Sequence, residues 1–155
     1  MSITEGTKAP DFSLPASRNR TVSSAGLRGR FYVLYFYPKA DTSGCTKEAQ
    51  AFQGAMPAFS RYGCEVIGVS RDPLKALDKF ASKYNLEFPL ASDEQGALTQ
   101  AYGVWVEKSM YGRKYMGIER STFLIDKDGR VRATWPKVKV DGHTDEVLAA
   151  LSSAA

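Results

Sequence analysis

Phe31–Phe59, FYVLYFYPKADTSGCTKEAQAFQGAMPAF, is the stretch that decides the fold. Its first seven residues are all apolar or aromatic, which is typical of a strand buried on both faces of a sheet. From Thr42 onward the apolar residues recur every three or four positions and predict an amphipathic helix. Thr42 or Ser43 can cap this helix, whereas Pro57 lacks a backbone donor and is expected to kink or break it near Ala55.

Cys45 lies in the first turn of this predicted helix. The backbone N–H groups at a helix N-terminus are unpaired and, together with the helix dipole, stabilise a negative charge placed there. A free thiol with a pKa near 8.5 is only about 3% ionised at pH 7, whereas a thiol with a pKa below about 6 is roughly nine-tenths thiolate. Cys45 is therefore the candidate nucleophile of the chain.

Strands and helices alternate on either side of this stretch. Asp72 is predicted to cap a helix that begins at Pro73, and the strand, helix and strand between Phe88 and Val106 predict a parallel pair. The turn DKDG, with Gly129 at positive φ, predicts an antiparallel hairpin. The predicted strands are Asp11–Pro15, Asn19–Val22, Phe31–Tyr37, Cys64–Ser70, Phe88–Leu90, Val104–Val106, Ser121–Ile125 and Arg130–Trp135. The first predicted helix starts at Thr42, has Phe59 on its apolar face and is ended by Gly63. The others are Pro73–Tyr84, Glu94–Tyr102 and a last one after Asp141-Gly142, with Val147, Leu148 and Leu151 on its inner face.

This order predicts an α/β protein with a thioredoxin-like fold, in which helices flank a mixed central β-sheet on both faces. The 155 residues are 43% hydrophobic with no shift in composition, so one domain over residues 1–155 is expected. The net charge is +4, but no run of basic residues exceeds two, which argues against nucleic acid as a partner. Neither a signal peptide nor a membrane-spanning run is apparent, so a cytoplasmic protein with no membrane partner is expected.

Three motifs carry a family resemblance. Pro38-x-x-x-Thr42-x-x-Cys45 resembles the PxxxTxxC active-site loop of peroxiredoxins, and FYPKADTSGCTKEA resembles their bacterioferritin comigratory protein branch, also called the Q class. The segment YGRKYMGIERSTFLIDKDGRV is similar to the same branch and places Arg120 where the family keeps its active-site arginine. The string KVKVDGHTDEVL matches the branch as well, so the resemblance covers nearly the whole chain.

The resemblance implies a thiol-dependent peroxidase that reduces hydrogen peroxide or organic hydroperoxides through a sulfenic acid on Cys45. Thioredoxin, glutaredoxin or a small thiol would then be the reductant, and the protein would be a monomer or weak dimer. The in-line attack of a thiolate on the O–O bond needs no metal, haem or flavin cofactor.

The same motifs suggest a role for each neighbour of the nucleophile. Thr42 and the N–H groups near Gly44 and Cys45 can donate hydrogen bonds to the departing oxygen. Arg120 would add a positive charge that does not titrate, although most arginines form surface ion pairs instead.

Two further residues have weaker assignments. Pro38 can restrict the loop and shield the thiolate from water. Glu48 can hold Arg120 in place through a bidentate pair, but a glutamate in a first helical turn also satisfies the helix dipole without any catalytic role.

The sequence departs from the Q class where the sulfenic acid must be resolved. The class often has a second cysteine either five residues after the first or on the following helix. This chain has Gln50 at the first of these locations and Phe80 and Ala81 near the second, so it lacks cysteine at both. Cys64 is the only other thiol, and at the start of a buried strand it is expected to be structural, because a disulfide needs Cα atoms within about 7 Å. A one-cysteine cycle is therefore expected, with Cys64 as resolving cysteine kept as the alternative.

Other functions are left open or disfavoured. A disulfide oxidoreductase would need C-x-x-C, but Glu48 occupies the fourth position, whereas a non-enzymatic redox sensor that uses Cys45 stays open. His143 is the only histidine, so a Cys–His hydrolase would have to use it, and a metal site would lack ligands. His143 itself is interpreted as a solvated turn residue. Trp105, Tyr111 and Tyr115 are interpreted as aromatic residues of a core or edge strand. An apolar wall beside the site or a self-association patch is the alternative for these residues.

Overall fold

The computed structural model describes residues 3–155. A mixed seven-stranded sheet has the order β2-β1-β5-β4-β3-β8-β9, and β6 and β7 form a separate two-stranded sheet. The strands are β1 Ser13–Ala16, β2 Arg20–Ser23, β3 Tyr32–Phe36, β4 Glu65–Ser70, β5 Leu90–Ser92, β6 Trp105–Met110, β7 Arg113–Ile118, β8 Ser121–Ile125 and β9 Val131–Trp135. The helices are α1 Ser43–Arg61, α2 Leu74–Tyr84, α3 Ala97–Ala101 and α4 His143–Ala154.

The central strand is β3, whose five residues are all buried. It pairs in parallel with β4, which pairs in parallel with β5, and antiparallel with β8. Alternate side chains of β3 enter two cores, one beneath α1, α2 and α4 and the other on the α3 side of the sheet. The predicted thioredoxin-like fold, with helices on both faces of a mixed sheet, is confirmed.

The large sheet has an antiparallel hairpin at each edge, and the DKDG turn predicted the one formed by β8 and β9. The β1–β2 hairpin lies at one edge and the β8–β9 hairpin at the other. Gly129 has a φ of 77°, which the DKDG turn requires. Among residues 3–155, no helix combines the length and the apolar character needed to cross a membrane.

The predicted break at Pro57 is wrong, because α1 runs without interruption from Ser43 to Arg61. Pro57 lies on the exposed side of the helix, where water can solvate the carbonyl group that loses its donor. Phe52 and Phe59 are fully buried on the opposite side, and their packing against the sheet holds the helix together. Tertiary packing thus outweighs the local cost of proline.

The segment from Phe88 to Ile118 differs from its prediction. The strand begins at Leu90 rather than Phe88, and β6 does not join the parallel sheet but pairs antiparallel with β7, which the sequence did not predict. Tyr111 and Gly112 form the tip of this hairpin, both with positive φ, as a two-residue turn of this kind requires. The outer part of the ribbon is exposed and carries both charged and large apolar side chains, with 99% of Tyr111 accessible at the tip.

His143 is not the solvated turn residue that was predicted, since only 2% of it is exposed. Its Nε2 lies 2.8 Å from Thr122 Oγ1 and its Nδ1 lies 3.1 Å from Glu146 Oε1. The ring packs edge-on against Phe52 and Trp135. Burial lowers the pKa of His143 and favours the neutral ring. The hydrogen bond between this ring and Thr122 links α4 to β8.

Candidate active site

Cys45 lies at the N-terminus of α1, next to the carboxyl ends of β3 and β4. Its side chain is buried, with 1% of the residue exposed. The N–H of Thr46 donates to the Thr42 carbonyl at 2.8 Å, so the N–H groups of the preceding turn are free of intrahelical partners and point toward the start of the helix. This arrangement favours negative charge beside the sulfur.

Arg120 bridges Cys45 and Glu48, although 75 residues separate it from the cysteine. Its Nη2 donates to Cys45 Sγ at 3.3 Å, and its Nη1 donates to Glu48 Oε1 at 2.7 Å. The N–H of Val138 donates to the Arg120 carbonyl at 2.9 Å and fixes the backbone there. The guanidinium therefore reaches the sulfur in a defined orientation.

Gly44 leaves the space that the guanidinium occupies. A Cβ atom built on Gly44 would lie 3.3 Å from Arg120 Nη2, which is a tight contact. A side chain at this position would therefore press on the group that contacts the sulfur.

Glu48 is a buried carboxyl group that Arg120 only partly compensates. Its side chain is 2% exposed, and within the described residues its Oε2 has no hydrogen-bond partner. Burial raises the pKa of Glu48 to about 7, against the opposing effect of the Arg120 charge. Burial alone would lower the pKa of Arg120, but the charges of Glu48 and Cys45 outweigh it and raise that pKa.

Glu48→Gln is expected to change how stability depends on pH. Because the folded-state pKa lies above the ordinary value of 4.5, the contribution of Glu48 to stability is fully present below about pH 4.5 and is lost as the pH rises through about 7. The variant lacks this loss, so its free energy of unfolding relative to the parent should increase by on the order of 2 kcal/mol between pH 4.5 and pH 8. Urea denaturation of both proteins over this range measures the difference, and a flat or falling difference would contradict the prediction.

Thr42 occupies the N-cap position of α1, but its side chain does not cap the helix. Its Oγ1 donates instead to the Lys39 carbonyl at 2.7 Å and closes the loop on itself. The side-chain cap predicted for Thr42 is therefore wrong, and Ser43 is already the first helical residue. Pro38 lies exposed directly after Tyr37, at the start of the same loop.

Asp72 has a different role from the predicted helix cap. Pro73 is the N-cap residue of α2, and Asp72 Oδ2 instead accepts hydrogen bonds from Ala40 N and Ser70 Oγ, both at 2.8 Å. It therefore ties the loop before Cys45 to the end of β4. Its position just after a buried parallel strand is a signal that could have suggested this role, since functional residues gather at the carboxyl ends of such strands.

Asp41 provides a second anchor that the sequence did not suggest. It has a φ of 61°, and its carboxylate accepts hydrogen bonds from Tyr84 Oη at 2.9 Å and Lys83 Nζ at 3.0 Å. These contacts hold the loop against the C-terminal end of α2.

Cys64 lies away from this site. Its N–H donates to the Phe59 carbonyl at 3.1 Å, and the helix from Cys45 to Phe59 has a length of about 21 Å. Both cysteines are free thiols, and burial raises the pKa of Cys64 to about 12, with a smaller effect from Glu65. The structure thus brings Cys45, Gly44, Glu48 and Arg120 together and leaves Cys64 in the core.

The described residues contain no cluster of three or more His, Cys, Asp or Glu side chains that could hold a metal ion.

Comparison with known proteins assigns the chain to a family. The AhpC/TSA family model matches residues 6–134, and the chain belongs to this family of thiol-dependent peroxidases. Its relatives place it among the peroxiredoxins of the bacterioferritin comigratory protein, or Q, branch, as the motifs predicted.

The similarity extends over almost the full length of these relatives. A putative peroxiredoxin Bcp from Coxiella burnetii is 50% identical over 151 residues, which cover 97% of this chain and 100% of the relative. Peroxiredoxin Bcp from Escherichia coli K12 is 41% identical over 143 residues, or 92% of each chain.

Solved structures agree with the sequence relatives. A cysteine-to-serine mutant of PrxQ from Xylella fastidiosa has a TM-score of 0.94 at 37% identity, covering 99% of this chain and 98% of the other. The bacterioferritin comigratory protein from Xanthomonas campestris, studied for its alkyl peroxide reduction activity, has a TM-score of 0.91 at 42% identity, covering 97% and 99%. The predictions of family, fold and thiol peroxidase class are confirmed.

Proposed function

We propose that Cys45 reduces hydroperoxides in a one-cysteine cycle completed by an outside thiol. The thiolate attacks the terminal oxygen of the hydroperoxide, forming an S–O bond as the O–O bond breaks, and the departing oxygen takes up a proton to leave as an alcohol or water. One outside thiol then displaces water from the sulfenic acid, and a second thiol releases the resulting mixed disulfide. The cycle thus converts one hydroperoxide and two thiols into an alcohol, water and a disulfide.

The observation that carries this proposal is the 3.3 Å contact between Arg120 Nη2 and Cys45 Sγ. A fixed positive charge at this distance, in a largely buried site, stabilises the thiolate before reaction and the departing oxygen during it. Free N–H groups at the start of α1 add to this effect. Glu48 is a positioning residue, because its hydrogen bond to Nη1 orients the guanidinium.

Thr42 and Pro38 complete the proposed site. Thr42 would donate to the hydroperoxide after its hydroxyl group turns away from the Lys39 carbonyl. Pro38 would restrict the loop and limit the access of water to the sulfur.

The substrates proposed are hydrogen peroxide and organic hydroperoxides. The relative from Xanthomonas campestris is studied for alkyl peroxide reduction, which supports the organic class. Thioredoxin, glutaredoxin or a small thiol is the proposed reductant, and a monomer or weak dimer is the proposed state.

The burial and position of Cys64 support a cycle that does not use it. About 21 Å of helix separates Cys45 from the residue that Cys64 contacts, whereas a disulfide needs Cα atoms within about 7 Å. Burial also keeps its thiol protonated, since that pKa is raised to about 12. Cys64 therefore acts as a small buried side chain.

One equivalent of hydrogen peroxide is expected to give a sulfenic acid on Cys45 and to leave Cys64 reduced. Trapping with dimedone, followed by peptide mass spectrometry, identifies the oxidised residue. Sustained peroxide consumption with added thiol should continue in Cys64→Ala, where a small apolar residue replaces the buried thiol. A Cys45–Cys64 disulfide, within or between chains, would overturn the one-cysteine cycle, and a single oxidation without turnover would favour a redox sensor.

A further inference from the structure

The β6–β7 hairpin has two faces of different chemistry. Its strands pair Trp105 with Ile118 and Met110 with Arg113, so alternate residues point to opposite sides. We call one side the cationic face; it consists of Val106, Lys108, Met110, Arg113, Tyr115 and Gly117. The opposite face consists of Trp105, Glu107, Ser109, Lys114, Met116 and Ile118.

The opposite face holds the hairpin to the body of the protein. The guanidinium of Arg71 stacks 3.4 Å above the Trp105 ring, and Ile118 is buried in the core on the α3 side of the sheet. Cys45 belongs to the core on the other side of the sheet. The cationic face therefore points away from the core on the α3 side of the sheet.

Lys108 confirms this orientation by its surroundings. Its Cδ would lie 3.2 Å from a Cβ atom on Gly117, so the lysine chain lies across the glycine and toward the base of the hairpin. Arg120 follows that base directly in sequence. Burial and, secondarily, the charge of Arg120 lower the pKa of Lys108, while the charges of Cys45 and Glu119 oppose this shift. Lys108 therefore lies within electrostatic range of both Arg120 and Cys45.

Charge is balanced on one face only. On the opposite face Lys114 Nζ lies 3.8 Å from Glu107 Oε1. Within the two described strands, the cationic face has Lys108 and Arg113 but no carboxylate. It also exposes apolar surface, since 44% of Tyr115 and 56% of Met110 are accessible.

We propose that the cationic face is the docking surface of a protein reductant whose reactive thiol is bordered by acidic and apolar side chains. The proposal rests on the one-cysteine cycle, because only that cycle requires an outside thiol at Cys45. A small thiol can reach a sulfur without such a surface, whereas a protein needs an extended area beside it. Lys108 and Arg113 form no salt bridge among the described residues, and cations of this kind beside exposed aromatic and methionine side chains are suited to steering and holding an acidic, apolar partner.

The test compares matched charge reversals on the two faces. Arg113→Glu and Lys114→Glu change the net charge equally and lie side by side, but they face opposite directions. The probes are a bacterial thioredoxin of net negative charge and the uncharged small thiol dithiothreitol, each mixed with protein that has been oxidised to the sulfenic acid. Stopped-flow measurement gives the second-order rate constant of reduction at several salt concentrations.

Arg113→Glu is expected to lower the rate constant with thioredoxin about tenfold at low salt, with a smaller effect at high salt. Lys114→Glu should change it less than about twofold, because that lysine faces away from the site. The rates with dithiothreitol and with hydrogen peroxide should not change in either variant. Tyr115→Ala and Met116→Ala form a matched apolar pair. Tyr115→Ala, on the cationic face, should lower the rate constant with thioredoxin more than Met116→Ala, on the opposite face.

Equal effects of the two charge reversals, or no effect of either, would overturn the docking proposal while the dithiothreitol reaction still supports the cycle. A loss of reduction by dithiothreitol in the parent protein would instead contradict the cycle itself. Sedimentation velocity provides a further check: a change of oligomeric state in Arg113→Glu alone would identify the cationic face as a contact between copies of this chain and overturn the proposal.

Discussion

Cys45→Ser is expected to lower peroxide consumption to below about one thousandth of the parent rate, because an alcohol is not ionised at neutral pH and is a poor nucleophile. The substitution is nearly isosteric, so the contacts of Arg120 and Glu48 around position 45 should persist. Single-turnover peroxide consumption, followed with a peroxide-specific dye, measures the effect.

Cys64→Ala is the matched control for this variant. It removes the other thiol from the chain while leaving the site at the start of α1 intact. Retained activity in Cys45→Ser, or an equal loss in both variants, would contradict the assignment of Cys45 as the nucleophile. Circular dichroism separates a loss of chemistry from a loss of fold.

Arg120→Met is expected to slow the oxidation of Cys45 by about 10²–10³-fold, because it removes the fixed charge that contacts the sulfur. Methionine fills a similar length of apolar space, and Glu48 loses its only hydrogen-bond partner found among the described residues. The buried carboxyl group is then expected to take up a proton. Rapid mixing with hydrogen peroxide, with quenching and detection of the sulfenic acid, measures the rate.

Two further variants distinguish charge from geometry. Arg120→Lys keeps a positive charge but cannot contact both Cys45 and Glu48 through a planar fork, so an intermediate loss of about tenfold is expected. Arg130→Met removes an exposed arginine that donates to the Gly6 carbonyl and should leave the rate unchanged. A rate for Arg120→Met within a few-fold of the parent would show that this arginine does not assist the reaction.

The arrangement at Asp72 and His143 shows where prediction from sequence failed. Both residues had a plausible local interpretation, as a helix cap and as a turn residue. In the structure Asp72 is hydrogen-bonded to Ala40 and His143 to Thr122, and both partners are distant in sequence. Capping and turn preferences describe only a few neighbouring residues, so these side-chain partners were outside their reach.

The sequence by itself determined the elements whose signals are local. Continuous apolar character identified β3, the three- and four-residue spacing identified α1 with Cys45 in its first turn, and DKDG identified the β8–β9 hairpin. These features follow from backbone geometry and from the burial of neighbouring side chains, which a short window of sequence contains. The motifs around Cys45 and Arg120 identified the family for the same reason.

Only the tertiary structure decided the electrostatics of the site. It placed Arg120 against Cys45 and Glu48, which lie 75 and 72 residues earlier in the chain, and it kept α1 intact through Pro57. The physical reason is that charge interactions and burial depend on distances in space. Chain folding sets those distances through the packing of the whole sheet and its helices.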